Sequence, residues 1–551
     1  MIEGLVYFYI LAVSLSFTLL IILLVLNIKN IKGLFPKIKK TTWFLLLGVF
    51  VLGFYTISIT PSLFFTLHDE TSFVRHAQEL SEGNFQSTDK SIGYPFLMAI
   101  LFIFTGANFS IAYLVNLALG SLSIVLIFFV TYLLFGREDA GVYSSVFLSL
   151  FIPYLMTVKS LESNVAALFV LLLAMMCFLL YFKIRTFKSQ LLAAVSLSFA
   201  IHFRLEFILL PFFFALMIML FDRDLGNNVR NYRWWIPWIL LIVFAIPWTA
   251  NVAQVALLPP ERNPYIHTSY MNYKLLSFDA LSKHSPYILD LFINADFFPS
   301  YMLFFLLLGP VSMILNRRKE VVFLLAMFAV FMMIYLSFDI PQNRYFLVPY
   351  LFLILFWSKG ISFLSELLQK FMKRVVNIDL SLPALLFISV LIFSVFLPYV
   401  FELHRNPSNF GSPTQLFWEQ REVYLEREAL YYLNMNLGRC NIVTVDDEFF
   451  AYANLKPLGI EDLMEKPEIL NKTRGCLLFF EDLYCKAPLA LQDDIKTAES
   501  YKSLCNKMHE NFNLTTYINF NVTLPETLDS LAPKIIRDDW GGFTLYNISS
   551  K

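Results

Sequence analysis

The first 402 residues alternate between long apolar runs and short polar segments. Twelve apolar runs have or approach the length of a membrane-spanning helix, roughly 17–25 residues, and the shorter ones are compatible with tilted or partly buried helices. These runs are 5–27, 42–65, 108–135, 140–157, 163–182, 189–203, 205–221, 234–257, 299–316, 321–338, 344–358 and 382–402. Residues 94–105 are apolar but too short to span, so we expect them at the membrane edge. The pattern predicts an α-helical polytopic membrane protein with about 12 transmembrane helices.

The C-terminal segment 403–551 has a different pattern, with polar and charged positions throughout. Strand-like runs occupy 441–445 and 476–480, and helical patterns occupy 418–435 and the region around 489–507. This alternation over about 140 residues predicts a small α/β domain, large enough to have its own core.

Composition supports the membrane assignment and excludes one class of function. The chain is 58% apolar and only 15% charged, whereas soluble globular proteins carry about 25% charged residues. With 42 basic and 42 acidic residues the net charge is zero, so no electrostatic argument supports nucleic-acid binding. We expect no cleavable signal peptide, because the first apolar run is long enough to span and no basic residue precedes it.

The distribution of basic residues predicts the orientation in the membrane. Cytoplasmic loops are enriched in Lys and Arg, and such residues follow the first, fifth, seventh, ninth and eleventh runs. They are Lys29, Lys32, Lys37, Lys39, Lys40, Lys183, Arg185, Lys188, Arg223, Arg230, Arg233, Arg317, Arg318, Lys319, Lys359, Lys370, Lys373 and Arg374. We therefore expect a plasma-membrane protein with both termini, and with the C-terminal α/β domain, on the extracytoplasmic side.

Cysteines and glycosylation sequons agree with an extracytoplasmic C-terminal domain. Four of the five cysteines lie in it, and only Cys177 lies in a span. An even number of cysteines in an oxidising compartment indicates two disulfides, with three possible pairings. We expect Cys440 to pair with Cys476, since each lies at the start of a predicted strand, and Cys485 to pair with Cys505; reduced core thiols are the alternative. Four Asn-X-Ser/Thr sequons, at Asn471, Asn513, Asn521 and Asn547, lie in the same domain.

Ionisable residues at the ends of the predicted spans concentrate on the predicted outer side. An acidic pair in Leu67-His68-Asp69-Glu70 follows the second run, directly before a predicted amphipathic helix over 71–82. A charged side chain at a span end can simply extend to the lipid head groups, but concentration on one side favours a functional site. The residues concerned are Asp69, Glu70, Lys90, Glu162, Arg204, Glu206, Asp339 and Arg344.

The order of these residues resembles the motifs of GT-C glycosyltransferases, in the branch of protein O-mannosyltransferases and aminoarabinose transferases. The similar motifs are Asp69-Glu70, the segment from Lys90 through Pro95 to Leu97, Glu162, Arg204-Leu205-Glu206, and Arg344-Tyr345 through Pro349. The resemblance covers about residues 42–350. It implies three regions: an additional N-terminal helix with a basic loop at 1–41, a GT-C-like catalytic domain at 42–402, and the extracytoplasmic domain at 403–551.

The resemblance implies transfer of a sugar from a polyprenyl phosphate, dolichyl or undecaprenyl. Nucleotide sugars are cytoplasmic, so an enzyme acting outside needs a donor that is delivered through the bilayer. Sugar transfer with inversion needs a base that takes the proton of the acceptor hydroxyl. Asp69 is the candidate base, and Glu70 is the alternative. Glu162 is the second acid of the motif set, expected to orient the cations or the sugar.

The leaving phosphate needs cations around it to stabilise developing charge. Lys90, Arg204 and Arg344 are the candidates for this role, and His68, Glu206 and Tyr345 are candidate substrate-binding residues. The double proline of related loops is absent, 247–251 lacks an Arg often found in that motif, and no lectin-like domain is recognisable. The acceptor class therefore stays open among protein, glycan and lipid.

Two other functions remain as alternatives. One is an enzyme that transfers a non-sugar group from a lipid donor, and the other is a transporter or lipid flippase. Transporters place ionisable residues at mid-span and often contain inverted repeats, whereas here the charges lie at the outer edge. We expect no cofactor; a divalent metal at His68 and Asp69 is the alternative, although His76 and His267 show no ligand spacing with that pair.

Overall fold

The structure is a computed structural model, and it divides the chain into two compact units. The first comprises Met1–Pro61 and His76–Asn406, and the second comprises Ser62–Arg75 and Pro407–Lys551. The residues that the structure describes are 2–33, 38–60, 67–83, 91–107, 109–158, 161–222, 225–256, 298–299, 301–316, 319–336, 346–376, 381–405, 441–444, 457–465, 477–481, 485, 495–520 and 543–550.

The described part up to residue 405 is helical. Its α-helices are α1 Ile2–Leu26, α2 Ile28–Lys32, α3 Lys40–Ile59, α4 Leu67–Glu82, α5 Gly93–Thr105, α6 Phe109–Phe135, α7 Glu138–Leu150, α8 Ile152–Val158, α9 Ser163–Ile184, α10 Phe187–Ile201, α11 Leu210–Phe221, α12 Leu225–Asn228, α13 Tyr232–Ala256, α14 Met302–Leu315, α15 Glu320–Leu336, α16 Leu347–Val376 and α17 Ser381–Arg405. A 3₁₀ helix at Leu205–Leu209 connects directly to α11.

Every one of the twelve predicted runs contains a helix. Within the described residues, seven helices are long and apolar enough to cross a membrane, or up to eight if α7 and α8, which are bent by 60° at the break between them, form one span. The other four predicted runs, in α10, α11, α14 and α15, form shorter apolar helices, as does α5 at 93–105. The chain is thus a multi-pass α-helical membrane protein.

Two helix boundaries differ from the prediction. Helix α4 begins at Leu67 rather than at 71, so the acidic pair lies in its first turn instead of in the preceding loop. Helix α16 continues to Val376, far beyond the predicted run 344–358, because a helical pattern of apolar positions continues after that run. The prediction of a basic loop at Lys359 is therefore wrong: Lys359 is 2% exposed, and its Nζ lies 5.7 Å from the ring centroid of Phe135.

Helices α14 and α16 approach each other closely at two glycines. A Cβ added at Gly360 would lie 2.5 Å from the carbonyl oxygen of Phe305, and one at Gly309 would collide with the carbonyl oxygen of Phe356. Small residues at helix interfaces let backbones approach closely in membranes, where packing and not hydrophobicity drives association. The two glycines therefore set the spacing of this helix pair.

The described residues of the second unit contain a five-stranded mixed sheet. Its elements are β1 Asn441–Thr444, β2 Pro457–Gly459, α18 Ile460–Glu465, β3 Leu477–Glu481, α19 Ile495–Asn511, β4 Phe512–Phe520 and β5 Phe543–Ser550. The strand order is β2-β1-β3-β5-β4. The strand β1 pairs in parallel with β2 and β3, and β5 pairs antiparallel with β3 and β4. The predicted α/β domain is confirmed; its predicted helix at 418–435 lies outside the described residues.

One of the two expected disulfides is present in the described residues. Cys485 and Cys505 are bonded, with Cα atoms 5.7 Å apart, and both lie in an apolar core with Phe479 and Met508. The bond therefore fastens α19 into the core of the sheet. Cys440 and Cys476 lie outside the described residues.

Candidate active site

Glu162 lies at the start of α9, directly after the bent α7–α8 pair. It occupies the N-cap position in extended conformation, and a carboxylate is favourable at the positive end of a helix. Glu162 and Asn164 are both buried, and Nδ2 of Asn164 donates a 2.7 Å hydrogen bond to Oε2 of Glu162. The start of α9 therefore contains a buried carboxyl group, that of Glu162, and its hydrogen bond orients the side-chain amide of Asn164.

Arg204 lies in the turn between α10 and the 3₁₀ helix, and it joins that turn to Asn164. Its Nε forms an ion pair with Oε1 of Glu206, and its Nη1 donates to Oδ1 of Asn164. The amide of Asn164 thus donates to Glu162 and accepts from Arg204. Two of the guanidinium nitrogens are held, which fixes the plane of the group.

Tyr335, near the end of α15, completes this set of residues. Its hydroxyl donates a 2.5 Å hydrogen bond to Oε1 of Glu206, and its ring centroid lies 5.6 Å from Cζ of Arg204. A guanidinium over an aromatic face is attracted to it, more so when both are shielded from water. We call Glu162, Asn164, Arg204, Glu206 and Tyr335 the Arg204 cluster.

Residues 91–93, which follow Lys90, pack against the same turn. Ser91 Oγ donates a 2.6 Å hydrogen bond to the carbonyl of Phe203, and the Gly93 amide donates a 2.8 Å bond to the carbonyl of His202. A Cβ at Gly93 would lie 2.7 Å from that same carbonyl oxygen. Only glycine allows this approach, so the segment that follows Lys90 lies directly beside the turn that carries Arg204.

The structure brings together three of the predicted site residues, namely Glu162, Arg204 and Glu206. Sequence reasoning did not assign Asn164 or Tyr335. Asn164 was visible as a polar residue two positions after Glu162, at a span start where an amide is unusual. Tyr335 lies in an otherwise apolar helix, and its type and position are ordinary for such a helix.

The remaining predicted site residues have no described side chain. His68, Asp69 and Glu70 lie in the first turn of α4, for which the structure describes the backbone. Lys90, Arg344, Tyr345 and Asp339 lie outside the described residues. Among the described residues, no group of three or more His, Cys, Asp and Glu residues could hold a metal ion.

A second polar cluster lies at the end of β3 in the C-terminal unit. Glu481 contacts Nε2 of His509 at 2.9 Å and accepts a 3.0 Å hydrogen bond from the hydroxyl of Tyr546. Burial, and secondarily the charge of Glu481, raises the pKa of Tyr546 to about 12. These contacts fasten α19 and β5 to the end of β3.

Comparison with known proteins identifies the fold. No protein-family model and no curated protein sequence matches the chain. Among solved structures it is similar to ArnT from Cupriavidus metallidurans bound to undecaprenyl phosphate, with a TM-score of 0.55, 12% identity, and coverage of 92% of this chain and 98% of that one. It is also similar to the Archaeoglobus fulgidus oligosaccharyltransferase tethered to an acceptor peptide with an NVT sequon, with a TM-score of 0.50, 12% identity, and coverage of 87% and 73%. The chain therefore has the fold of the GT-C glycosyltransferases.

Proposed function

We propose that the protein is a membrane glycosyltransferase that moves a sugar from a polyprenyl phosphate to an extracytoplasmic protein, glycan or lipid acceptor. The observation that carries the proposal is the largely buried Arg204 cluster at helix ends of a GT-C fold. A guanidinium held in place by Glu206 and Asn164 suits a phosphate group. The similar ArnT structure is bound to undecaprenyl phosphate, a donor carrier of this kind.

The Arg204 cluster contributes an oriented cation rather than a surplus of positive charge. Among the described residues of the cluster, one guanidinium accompanies the carboxyl groups of Glu162 and Glu206. A phosphate that becomes dianionic as it leaves needs further cations. Lys90 and Arg344 are proposed to supply them, with His68, Glu206 and Tyr345 contacting the substrate.

The proposed reaction is a single displacement. The acceptor oxygen attacks the anomeric carbon, Asp69 takes the acceptor's proton, and the bond between the anomeric carbon and the phosphate oxygen breaks. The electron pair of that bond stays on the phosphate, where Lys90, Arg204 and Arg344 stabilise it. Glu70 is the proposed alternative to Asp69 as the base. Glu162 is proposed to orient Arg204 through Asn164.

Positioning explains why the cluster is so fully hydrogen-bonded. A reacting group displaced by about 1 Å can cost on the order of 10²-fold in rate, and side chains locked by their neighbours avoid that loss. Arg204 is held by hydrogen bonds to Glu206 and Asn164 and by the ring of Tyr335. Donor binding would therefore not have to order this cation.

The proposal is tested by offering the purified protein, in liposomes, a panel of radiolabelled polyprenyl-phosphate sugars and the corresponding nucleotide sugars. We expect label to pass to acceptor from lipid donors only, and Arg204→Gln to abolish transfer. Arg233→Gln, at an exposed arginine outside the cluster, is the matched control and should remain active. Direct use of a nucleotide sugar, or movement of intact lipid donor across the bilayer without transfer, would overturn the proposal.

A further inference from the structure

Tyr9 connects the N-terminal helix α1 to residues 91–93, which follow Lys90. Its side chain is 1% exposed, and its hydroxyl accepts a 3.1 Å hydrogen bond from the backbone amide of Ile92. Ile92 is two residues after Lys90 in the chain. A helix that precedes the GT-C-like region thus contacts the segment that follows one of the proposed phosphate-binding residues.

The ring of Tyr9 also contacts the turn that leads to Arg204. It lies 5.4 Å from the imidazole of His202 and stacks at 5.2 Å, with an interplanar angle of 19°, on the indole of Trp248. His202 is two residues before Arg204, and its carbonyl accepts a hydrogen bond from the amide of Gly93. Tyr9 therefore contacts both the segment that contains Ile92 and the turn that leads to Arg204, at the place where the two meet.

The residues that meet Tyr9 are buried. Ile92, His202 and Trp248 are all buried. The ring nitrogens of His202 and Trp248 form no hydrogen bond in the described structure. Ring packing and backbone hydrogen bonds therefore determine how these residues sit, and an amide that lost its acceptor here would bear the full cost of an unsatisfied buried donor.

We propose that Tyr9 is a positioning residue for the donor phosphate site, and that α1 contributes through it to the geometry of that site. The hydroxyl of Tyr9 sets the position of Ile92, and its ring sets the position of His202. Together they fix the position of residues 91–93, which follow Lys90, relative to the turn that carries Arg204. The inference rests on the proposed function, in which Arg204 holds the polyprenyl phosphate.

The test compares Tyr9→Phe with Tyr7→Phe in the full-length protein. Both changes remove one hydroxyl from the same helix, but Tyr7 is 67% exposed. Hydrogen exchange of a peptide covering residues 91–96 reports on the Ile92 amide without reference to activity. We expect faster exchange in Tyr9→Phe and unchanged exchange in Tyr7→Phe, with equal apparent melting temperatures. Unchanged exchange in Tyr9→Phe would overturn the proposal.

Kinetics then separate positioning from a merely structural contact. Loss of the hydrogen bond in Tyr9→Phe should lower kcat/KM for the lipid donor by roughly 3- to 10-fold and leave the KM for the acceptor unchanged. Two results would also overturn the proposal. One is faster exchange with an unchanged kcat/KM for the lipid donor, and the other is a rise in the acceptor KM as large as the loss in donor kcat/KM. Failure of the proposed function is distinguishable, because then the wild type itself would transfer no label from lipid donors.

Discussion

The hydroxyl of Tyr335 and Nε of Arg204 both bond to one carboxylate oxygen, Oε1 of Glu206. Tyr335 and Glu206 are 129 positions apart in the chain, so α15 is fastened to the turn after α10 at this oxygen. Since Arg204 also lies against the Tyr335 ring, one tyrosine contacts both members of the ion pair.

Replacing Tyr335 with Phe should slow donor use and leave the fold intact. The change keeps the ring beneath Arg204 but removes a hydrogen bond to a charged oxygen, which is worth about 1.5–3 kcal/mol. We expect kcat/KM for the lipid donor to fall roughly 10- to 100-fold. Tyr301→Phe is the matched control, at a tyrosine that is 54% exposed. Equal activity of the two variants would show that Glu206 does not need this hydrogen bond.

Arg204→Lys should impair transfer although it keeps the charge. A lysine ammonium cannot reproduce the planar fork that bonds to both Glu206 and Asn164, and acts on a phosphate as a point charge. We expect transfer to fall by about 10²-fold or more, while Arg233→Lys, at an exposed site, should behave as wild type. Retention of more than half the activity in Arg204→Lys would mean that the geometry of the guanidinium is unimportant.

Charged residues of the Arg204 cluster could be found in the sequence because they are costly near a membrane. Glu162, Arg204 and Glu206 stand out from apolar surroundings at span ends, and the structure places them together. Tyr335 is neutral and of a common type, so no periodicity or charge pattern separates it from packing residues. Asn164 carries only a weak signal, as a polar amide two positions after Glu162. Tyr9 was missed for a further reason, since its partners lie 83 or more positions away in the chain.

Hydropathy predicted helices well and their lengths less well. Apolar runs record burial in lipid or protein, which is why all twelve contain helices. The ends depend on other features: α16 continues to Val376 because its apolar positions keep a helical pattern, and Lys359 within it is buried in the protein near Phe135. Helix α4 starts at Leu67 because the acidic residues Asp69 and Glu70 are favourable in a first helical turn.

Gly309→Ala should destabilise the transmembrane unit. The added methyl would collide with the backbone carbonyl of Phe356, and backbone cannot move as a side chain can. Overpacking of this kind costs about 1–3 kcal/mol, so the apparent melting temperature of the detergent-solubilised protein should fall. Gly48→Ala is the matched control, because nothing lies within 4 Å of its added Cβ. A melting temperature in Gly309→Ala equal to that of Gly48→Ala would contradict the close helix crossing.

The disulfide between Cys485 and Cys505 should stabilise the C-terminal unit. It closes a loop with a sequence separation of 20, for which constraint of the unfolded chain contributes about 3 kcal/mol. Non-reducing peptide mapping should recover the linked pair, and Cys485→Ser with Cys505→Ser should make 495–511 more sensitive to proteolysis. Recovery of both cysteines as free thiols would contradict the bond. Pairing of Cys440 with Cys476 stays a prediction that the same map decides.

The proposed base is the part of the mechanism that rests most on sequence, and Asp69→Asn tests it. The change keeps the size of the side chain and removes its ability to accept the acceptor's proton, so transfer should fall roughly 10²–10⁴-fold. Glu162→Gln should reduce transfer less, since Glu162 acts through Asn164 on Arg204. Asp222→Asn is the matched control, at an aspartate beyond the end of α11 that bonds to Asn228.

The most direct measurement is transfer of label from a radiolabelled polyprenyl-phosphate sugar in liposomes that contain wild type, Asp69→Asn or Asp222→Asn, with binding of polyprenyl phosphate measured in parallel. We predict rapid transfer by wild type and Asp222→Asn, and near-complete loss in Asp69→Asn with donor binding retained. Near-normal transfer by folded Asp69→Asn, with Glu70→Gln also active, would contradict this prediction.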